Sequence, residues 1–116
     1  GLRASEYKSA YVTAKHGLEG LSKVVALEGA PHGVTSVTVN PAYGRTPLVE
    51  KQIADQARTH GISEDEVIEK IMLTRSHVKR LIEPEEVAEL VLFLTGPASA
   101  SMSGTSYPID GAWTAY

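Results

Sequence analysis

Residues 33–41 read GVTSVTVNP, a short run of mostly β-branched residues that ends at a proline. Valine and threonine favour extended backbone, whereas proline cannot donate to the hydrogen-bond ladder of a sheet. The run therefore predicts a β-strand over Gly33–Asn40 that is closed by Pro41. The elements that come before and after this strand decide which fold it belongs to.

The segment before the strand predicts a long amphipathic helix from Ser9 to about Glu28. Apolar or small residues recur close to a 3.6-residue period within it, at Tyr11, Ala14, Leu18, Leu21, Val25 and Leu27. Gly17 and Gly20 lie inside this helix, where each glycine costs about 1 kcal/mol relative to alanine. We therefore expect another helix or a stretch of backbone to approach closely at these two positions.

Two short helices should follow the strand. Thr46 is typical of an N-cap and Pro47 of the first helical position, which predicts a helix to about Thr59. Ser63 and Glu66 have the spacing of a capping box, and apolar residues follow them at helical spacing, so a second short helix is expected.

A third helix and a second strand complete the chain. Glu83-Pro84 predicts a helix that ends before Gly96, and residues 104–110 predict a strand that Pro108 places near an edge. This order predicts an α/β fold, in which two parallel strands joined by a right-handed helical crossover form half of a doubly wound sheet. Since two strands cannot cover the apolar faces of so many helices, we expect the chain to be part of a longer protein.

Composition argues against several kinds of partner and site. The 116 residues carry 14 acidic and 11 basic side chains, a net charge of -3, and the basic ones are scattered, so no nucleic-acid partner is expected. The absence of cysteine excludes disulfides and agrees with a cytoplasmic location. The four histidines lie far apart and predict no zinc site. No apolar run approaches the roughly 20 residues of a membrane span, so no membrane partner is expected.

Three segments carry chemistry. Y11-V-T-A-K15 places a phenol and an ammonium on one helix face. Together with N40-P-A-Y-G-R-T-P47 and D110-G-A-W113, it resembles the C-terminal half of the short-chain dehydrogenase/reductase family. The Tyr-x-x-x-Lys pair alone is a weak signal, whereas the order and spacing of the segments along the whole chain are specific. Residues 5–17, 46–53 and 110–113 are most similar to bacterial members that oxidise D-3-hydroxybutyrate.

The resemblance implies roles for individual residues at the reaction centre. Tyr11 matches the family's catalytic acid/base, and Lys15 matches the lysine that binds the nicotinamide ribose and stabilises the deprotonated phenol. Both residues, with Pro41, Ala42 and Thr46, match positions that contact the NAD cofactor. Because Ala42 replaces the usual glycine, we expect its backbone to avoid positive φ.

The resemblance also implies a substrate pocket. Lys8 and Gln52 match positions that hold the carboxylate of a small hydroxy acid, and Trp113 matches a residue that closes the pocket. The helices over residues 46–74 correspond to a lid over the substrate. The family's usual homotetramer implies a homo-oligomer.

Other parts of the family pattern are missing from the 116 residues. The family's catalytic serine precedes Tyr11 by more residues than this chain has there, and no G-x-G-x-x-G pyrophosphate loop occurs. We therefore expect the nucleotide-binding half to lie outside residues 1–116, which would form part of a single Rossmann-like domain and be inactive alone. Oxidation of 3-hydroxybutyrate to acetoacetate is expected of the longer parent. Two alternatives stay open: another alcohol or sugar dehydrogenase, and a non-catalytic oligomerisation or binding fragment.

Overall fold

The computed structural model describes residues 1–115. In chain order its elements are α1 (Ser9–Gly29), a 3-10 turn (Ala30–His32), β1 (Thr38–Pro41), α2 (Pro47–His60), α3 (Glu64–Val67), a π-helical turn (Ile68–Met72), α4 (Pro84–Leu94), a second 3-10 turn (Pro97–Ser99) and β2 (Ser106–Ile109). Two compact units can be distinguished. The first unit comprises Gly1–Asn40 with Glu89–Pro108, and the second comprises Pro41–Ala88 with the chain from Ile109 onward.

Strands β1 and β2 form a two-stranded parallel sheet. The Thr38 nitrogen donates to the Thr105 oxygen at 3.2 Å, and the Ala42 nitrogen donates to the Ile109 oxygen at 2.9 Å. The offset between partners is the same at both ends, as parallel pairing requires. Backbone groups alternate sides along a strand, so the exposed Pro108 turns its nitrogen away from β1. The predicted α/β class with two parallel strands is confirmed.

Both strands are shorter than the sequence pattern predicts. Gly33, at φ +71°, ends the first 3-10 turn, and the Val34 nitrogen donates to the Gly29 oxygen at 3.1 Å. The backbone at these residues is therefore engaged with the end of the helix, and the predicted strand start at Gly33 is wrong. The second strand likewise begins at Ser106, because Gly104 adopts φ +73°.

The short helices after β1 form where local capping signals predict them. The Thr46 hydroxyl accepts from the Val49 nitrogen at 3.3 Å at the start of α2. The Ser63 hydroxyl accepts from the Glu66 nitrogen at 3.2 Å at the start of α3. The second short helix then widens, because the Leu73 nitrogen bonds the oxygen of Ile68, five residues earlier, at 2.9 Å. This π-helical turn was not expected from the sequence.

Helix α1 matches its prediction closely, but its two internal glycines do not behave as expected. A Cβ atom added at Gly17 or Gly20 would meet nothing within 4 Å. The close approach that we expected there is therefore not made by any part of the chain over residues 1–115. None of the described helices combines the length and apolar character that a membrane span requires.

Burial differs sharply between the two units. The second unit has an apolar core in which Ile53, Val67 and Leu81 are almost completely buried and contact one another. Leu73 and Ile82 of the same unit are also buried. In the described part of the first unit, Ala26 is the one buried apolar residue, whereas α1 exposes Leu18, Leu21, Val24 and Leu27.

Candidate active site

Tyr11 and Lys15 lie one turn apart near the start of α1. The Lys15 Nζ atom is 5.6 Å from the centroid of the Tyr11 ring, close enough for a cation–π attraction. The Tyr11 side chain is 61% exposed, so a ligand can reach its hydroxyl group. The helix therefore brings together a group that can exchange a proton and a positive charge that can stabilise its anion.

One turn further along α1, the Glu19 carboxylate bonds to both strands. Its Oε2 atom accepts from the Thr38 hydroxyl at 2.8 Å and from the Ser106 hydroxyl at 2.6 Å, and its Oε1 atom accepts from the Asn40 amide at 2.6 Å. Burial disfavours the charged form of Glu19, but hydrogen bonds from Ser106, Asn40 and Thr38 outweigh it and lower the pKa of this carboxyl. We call these four residues the Glu19 clamp.

Sequence reasoning missed Glu19. Tyr11, Lys15 and Glu19 are spaced four residues apart, so all three share one face of α1. A carboxylate that continues the face of a reactive pair is the signal that could have identified it. Its strand partners could not be recognised in the same way, because Ser106 is 87 residues away along the chain.

Lys8 lies at the N-cap position of α1. Its carbonyl oxygen accepts from the Val12 nitrogen at 2.8 Å, while its side chain makes no capping hydrogen bond. Tyr7, immediately before it, adopts φ +61° and is fully exposed. The Lys8 side chain is also exposed, so it can meet an anion.

Pro41 and Ala42 end β1 and begin the next loop. The Ala42 nitrogen donates to the Ile109 oxygen, and proline has no N–H, so neither residue keeps a free backbone donor. Ala42 is not among the described residues with positive φ, as we expected of an alanine at a glycine position. These two residues can therefore offer a ligand only carbonyl oxygens and apolar contact.

Thr46 is the N-cap residue of α2, and Gln52 lies within the helix. The Thr46 hydroxyl oxygen accepts the capping bond, which leaves its hydrogen available to donate to a ligand. The Gln52 side chain is exposed one turn and a half further along the helix. Beside Thr46, the Arg45 guanidinium pairs with Glu83 at 2.9 Å and with Glu50 at 3.6 Å.

Trp113 is half-buried in a turn that Asp110 organises. The Asp110 Oδ2 atom accepts from the Thr114 nitrogen at 3.1 Å and from the Thr114 hydroxyl at 2.7 Å. Gly111 and Ala112 in this turn both adopt positive φ, at +59° and +70°. With the Trp113 nitrogen donating to the Asp110 oxygen at 3.2 Å, these bonds hold the backbone on both sides of the indole.

A cavity of about 150 Å³ lies within the second unit. Ala42 and Asp110 contribute to its lining, as do Arg80 and Glu86. The Arg80 guanidinium donates to both Glu86 carboxylate oxygens at 2.7 Å. This bidentate hydrogen bonding is the main reason why the pKa of Glu86 falls to about 2.

The predicted site residues are divided between the two units. Lys8, Tyr11 and Lys15 belong to the first unit, and Pro41, Ala42, Thr46, Gln52 and Trp113 belong to the second. Within its unit, the structure brings Tyr11 and Lys15 together. Over residues 1–115, no group of three acidic, histidine or cysteine side chains could hold a metal ion.

Known proteins resemble this chain over nearly its whole length. The sequence profile of a family described as "Enoyl-(Acyl carrier protein) reductase" matches residues 1–114. The D-beta-hydroxybutyrate dehydrogenase of Rhizobium meliloti (strain 1021) is 55% identical over 115 residues, which cover 99% of this chain and 45% of that protein. The chain thus spans about half the length of the curated relatives that it matches.

Solved structures share the same backbone arrangement. A short chain dehydrogenase family protein from Francisella tularensis subsp. tularensis SCHU S4 superposes with a TM-score of 0.86 at 34% identity, covering 97% of this chain and 46% of that one. A 4-hydroxyisoleucine dehydrogenase complexed with NADH gives a TM-score of 0.82 at 25% identity, covering 99% and 43%. In both, the chain corresponds to less than half of a larger Rossmann-type protein.

Proposed function

The chain belongs to the short-chain dehydrogenase/reductase family, and from this premise we propose that it supplies the catalytic residues for oxidation of D-3-hydroxybutyrate to acetoacetate. The observation that carries the proposal is the Tyr11–Lys15 pair, with the Lys15 Nζ atom 5.6 Å from the phenol ring. The 55% identity to the Rhizobium meliloti dehydrogenase supports the choice of substrate.

Members of this family use NAD or NADP, and the residues present fit the nicotinamide end of such a cofactor. The Lys15 ammonium can donate to ribose hydroxyls, the Thr46 hydroxyl keeps a free hydrogen, and Pro41 and Ala42 can provide carbonyl oxygens and apolar contact. When bound, the cofactor accepts a hydride. We assign NAD rather than NADP as part of this proposal, on the strength of the family resemblance.

In the proposed reaction, Tyr11 handles the proton. The phenolate oxygen takes the proton of the substrate hydroxyl while the C–H bond of the same carbon breaks and its electron pair leaves with the hydride. The C–O bond becomes the ketone of acetoacetate, so the substrate loses one proton and one hydride, which together are two hydrogens and two electrons. The Lys15 ammonium beside the ring stabilises the phenolate that accepts the proton.

Substrate binding is assigned to three further residues. Lys8 and Gln52 have exposed polar ends that suit a carboxylate, and Trp113 would limit the length of the acid. The helices over residues 46–74 would close over the substrate and exclude water. Lid closure and these three contacts belong to the same proposal as the reaction itself.

By analogy with the family, we also propose that the protein is located in the cytoplasm and forms a homo-oligomer. The exposed apolar side chains of α1, together with the open surface at Gly17 and Gly20, support a contact between copies of this helix. Light scattering of the purified protein measures the assembly directly.

A chimera tests the proposed function. Residues 1–115 of this chain replace the matching segment of the Rhizobium meliloti enzyme, and NAD reduction is followed with D-3-hydroxybutyrate and with its methyl ester. Tyr11→Phe should lower kcat by about a hundredfold or more, because it removes the proton acceptor. Tyr7→Phe, a change to a fully exposed tyrosine one turn earlier, is the matched control and should leave kcat unchanged.

The acid should be preferred over the ester by at least about tenfold in kcat/KM, because the ester leaves Lys8 and Gln52 without a charged partner. Retention of most activity by Tyr11→Phe would refute the acid/base assignment. Equal efficiency on acid and ester would favour the alternative of another alcohol or sugar dehydrogenase. The 116-residue chain alone is expected to reduce no NAD.

A further inference from the structure

We propose that Glu19 is a positioning residue for the Tyr11–Lys15 pair, and that the strand donors of the Glu19 clamp keep its carboxylate away from the Lys15 ammonium. The catalytic consequence rests on the proposed function. The positions of the Tyr11, Lys15 and Glu19 side chains on α1 do not depend on the proposed function.

The clamp fixes α1 against both strands. Thr38 and Asn40 donate from β1, and Ser106 donates from β2, all at 2.6 to 2.8 Å. Such short bonds to a charged acceptor are strong and directional. Apolar packing contributes little near the pair, because Ala26 is the one buried apolar residue in the described part of this unit. The Glu19 carboxylate therefore restricts rotation of α1 about its axis near the pair, and the Ser22–Ser36 bond of 2.9 Å adds a second restraint further along the helix.

The same carboxylate would be a competitor for Lys15 if the strands released it. Side chains at i and i+4 of a helix meet readily, and a Lys–Glu pair at this spacing forms an ion pair. Over residues 1–115, however, no ion pair joins Lys15 to Glu19. Both Glu19 oxygens are occupied by strand donors, and the Lys15 ammonium lies over the Tyr11 ring instead.

Two substitutions at Glu19 distinguish the effect of its hydrogen bonds to the strands from the effect of its negative charge. In Glu19→Gln the amide oxygen can accept from Asn40, while the amide nitrogen can donate to the Thr38 and Ser106 hydroxyls, which rotate to accept. The clamp is then kept without its charge. Glu19→Asp keeps the charge but is one methylene too short for the strand donors, which leaves a free carboxylate on the Lys15 face.

In the chimera, Glu19→Gln should stay within about threefold of the unmodified kcat, whereas Glu19→Asp should lower kcat by about tenfold or more. Glu28→Asp, on an exposed part of α1, is the control and should be silent. The double change Thr38→Val/Ser106→Ala should lower kcat as Glu19→Asp does. Adding Glu19→Gln to that background should restore part of the lost kcat, because the competing charge is removed while the two missing hydroxyls still leave α1 less firmly held.

A spectroscopic readout on the 116-residue chain does not require activity. The ε-methylene NMR signals of Lys15, assigned with Lys15→Arg, should shift in Glu19→Asp and in Thr38→Val/Ser106→Ala, and stay in place in Glu19→Gln. Equal NMR shifts in the Asp and Gln variants, or a Thr38→Val/Ser106→Ala variant that Glu19→Gln worsens, would overturn the proposal. If the unmodified chimera is inactive, the proposed function fails while the NMR comparison still decides the placement of Lys15.

Discussion

Each of the two units is stabilised internally by a different kind of interaction. In the second unit, Ile53, Val67 and Leu81 form a cluster that is nearly inaccessible to water. In the first unit, α1 leaves most of its apolar residues exposed and is tied to the strands by the Glu19 clamp and by a bond of 2.9 Å between the Ser22 and Ser36 hydroxyls. Apolar burial is tolerant of direction, whereas hydrogen bonds are not. The unit with the reactive pair is thus the one held by directional contacts.

The largest expected effect comes from removing core volume in the second unit. Leu81→Ala should lower the free energy of unfolding by about 2–5 kcal/mol, through lost apolar burial and the cavity left behind. Leu27→Ala in the first unit removes the same atoms from a side chain that is 77% exposed. This change should alter the free energy of unfolding by less than about 0.5 kcal/mol. Urea denaturation of the 116-residue chain measures both. Equal losses would contradict the contrast between the units.

A smaller effect is expected from acid. The Glu86 carboxyl has a folded pKa of about 2 against an ordinary value of 4.5, chiefly because Arg80 donates to it. A lowered folded pKa contributes stability that is complete above the unfolded pKa and is lost as pH falls through the folded one. The second unit should therefore lose this contribution between pH ~4.5 and ~2.

Glu86→Gln cannot titrate, so its Tm should depend less on pH across this window than the Tm of the unmodified chain. Glu85→Gln, one residue earlier on α4, is the control and should keep the unmodified slope. The Glu19 carboxyl of the first unit also has a lowered pKa, so Glu19→Gln should flatten the acid side of the curve in the same direction. Identical slopes in all four proteins would show that neither carboxylate stabilises the fold.

The features that were predictable from sequence depend on neighbours along the chain. Thr46 and Ser63 cap helices because the nitrogens that they accept from lie three residues ahead. Tyr11 and Lys15 meet because helical spacing places them one turn apart. Strand ends, by contrast, depend on the partner strand, so Gly33 was wrongly included in β1.

The other features that the sequence did not predict also depend on contacts between residues far apart along the chain. The π-helical turn from Ile68 arises where Leu73 becomes buried, which no local pattern encodes. The Glu19 clamp joins residues 19 to 87 positions apart, so its composition appears only when the strands are in place. The open surface at Gly17 and Gly20 could not be foreseen either, because a pattern gives a reason for glycine without showing what approaches it.

The smallest expected effect concerns one backbone position of the Asp110 turn. Ala112 adopts φ +70°, a conformation that costs an alanine about 1 kcal/mol, so Ala112→Gly should raise the free energy of unfolding by about 0.5 kcal/mol after the greater flexibility of glycine in the unfolded chain is counted. Gly111→Ala should do the opposite, because a Cβ there would lie 3.2 Å from the Val78 Cβ and φ is also positive. Urea denaturation of both variants checks the pair. A loss of stability in Ala112→Gly would show that the turn is not strained.

Prolines limit both edges of the sheet. The Pro108 nitrogen faces away from β1 and carries no hydrogen, so a strand arriving at the outer side of β2 would find one donor missing. On β1 the Ala42 nitrogen bonds the Ile109 oxygen of β2, so the nitrogen of Pro41, one residue earlier, faces the outer side and leaves a donor missing there as well. Each four-residue strand therefore carries a proline that disfavours the addition of a further strand at its outer edge, whether by self-association during expression or by strand exchange between copies.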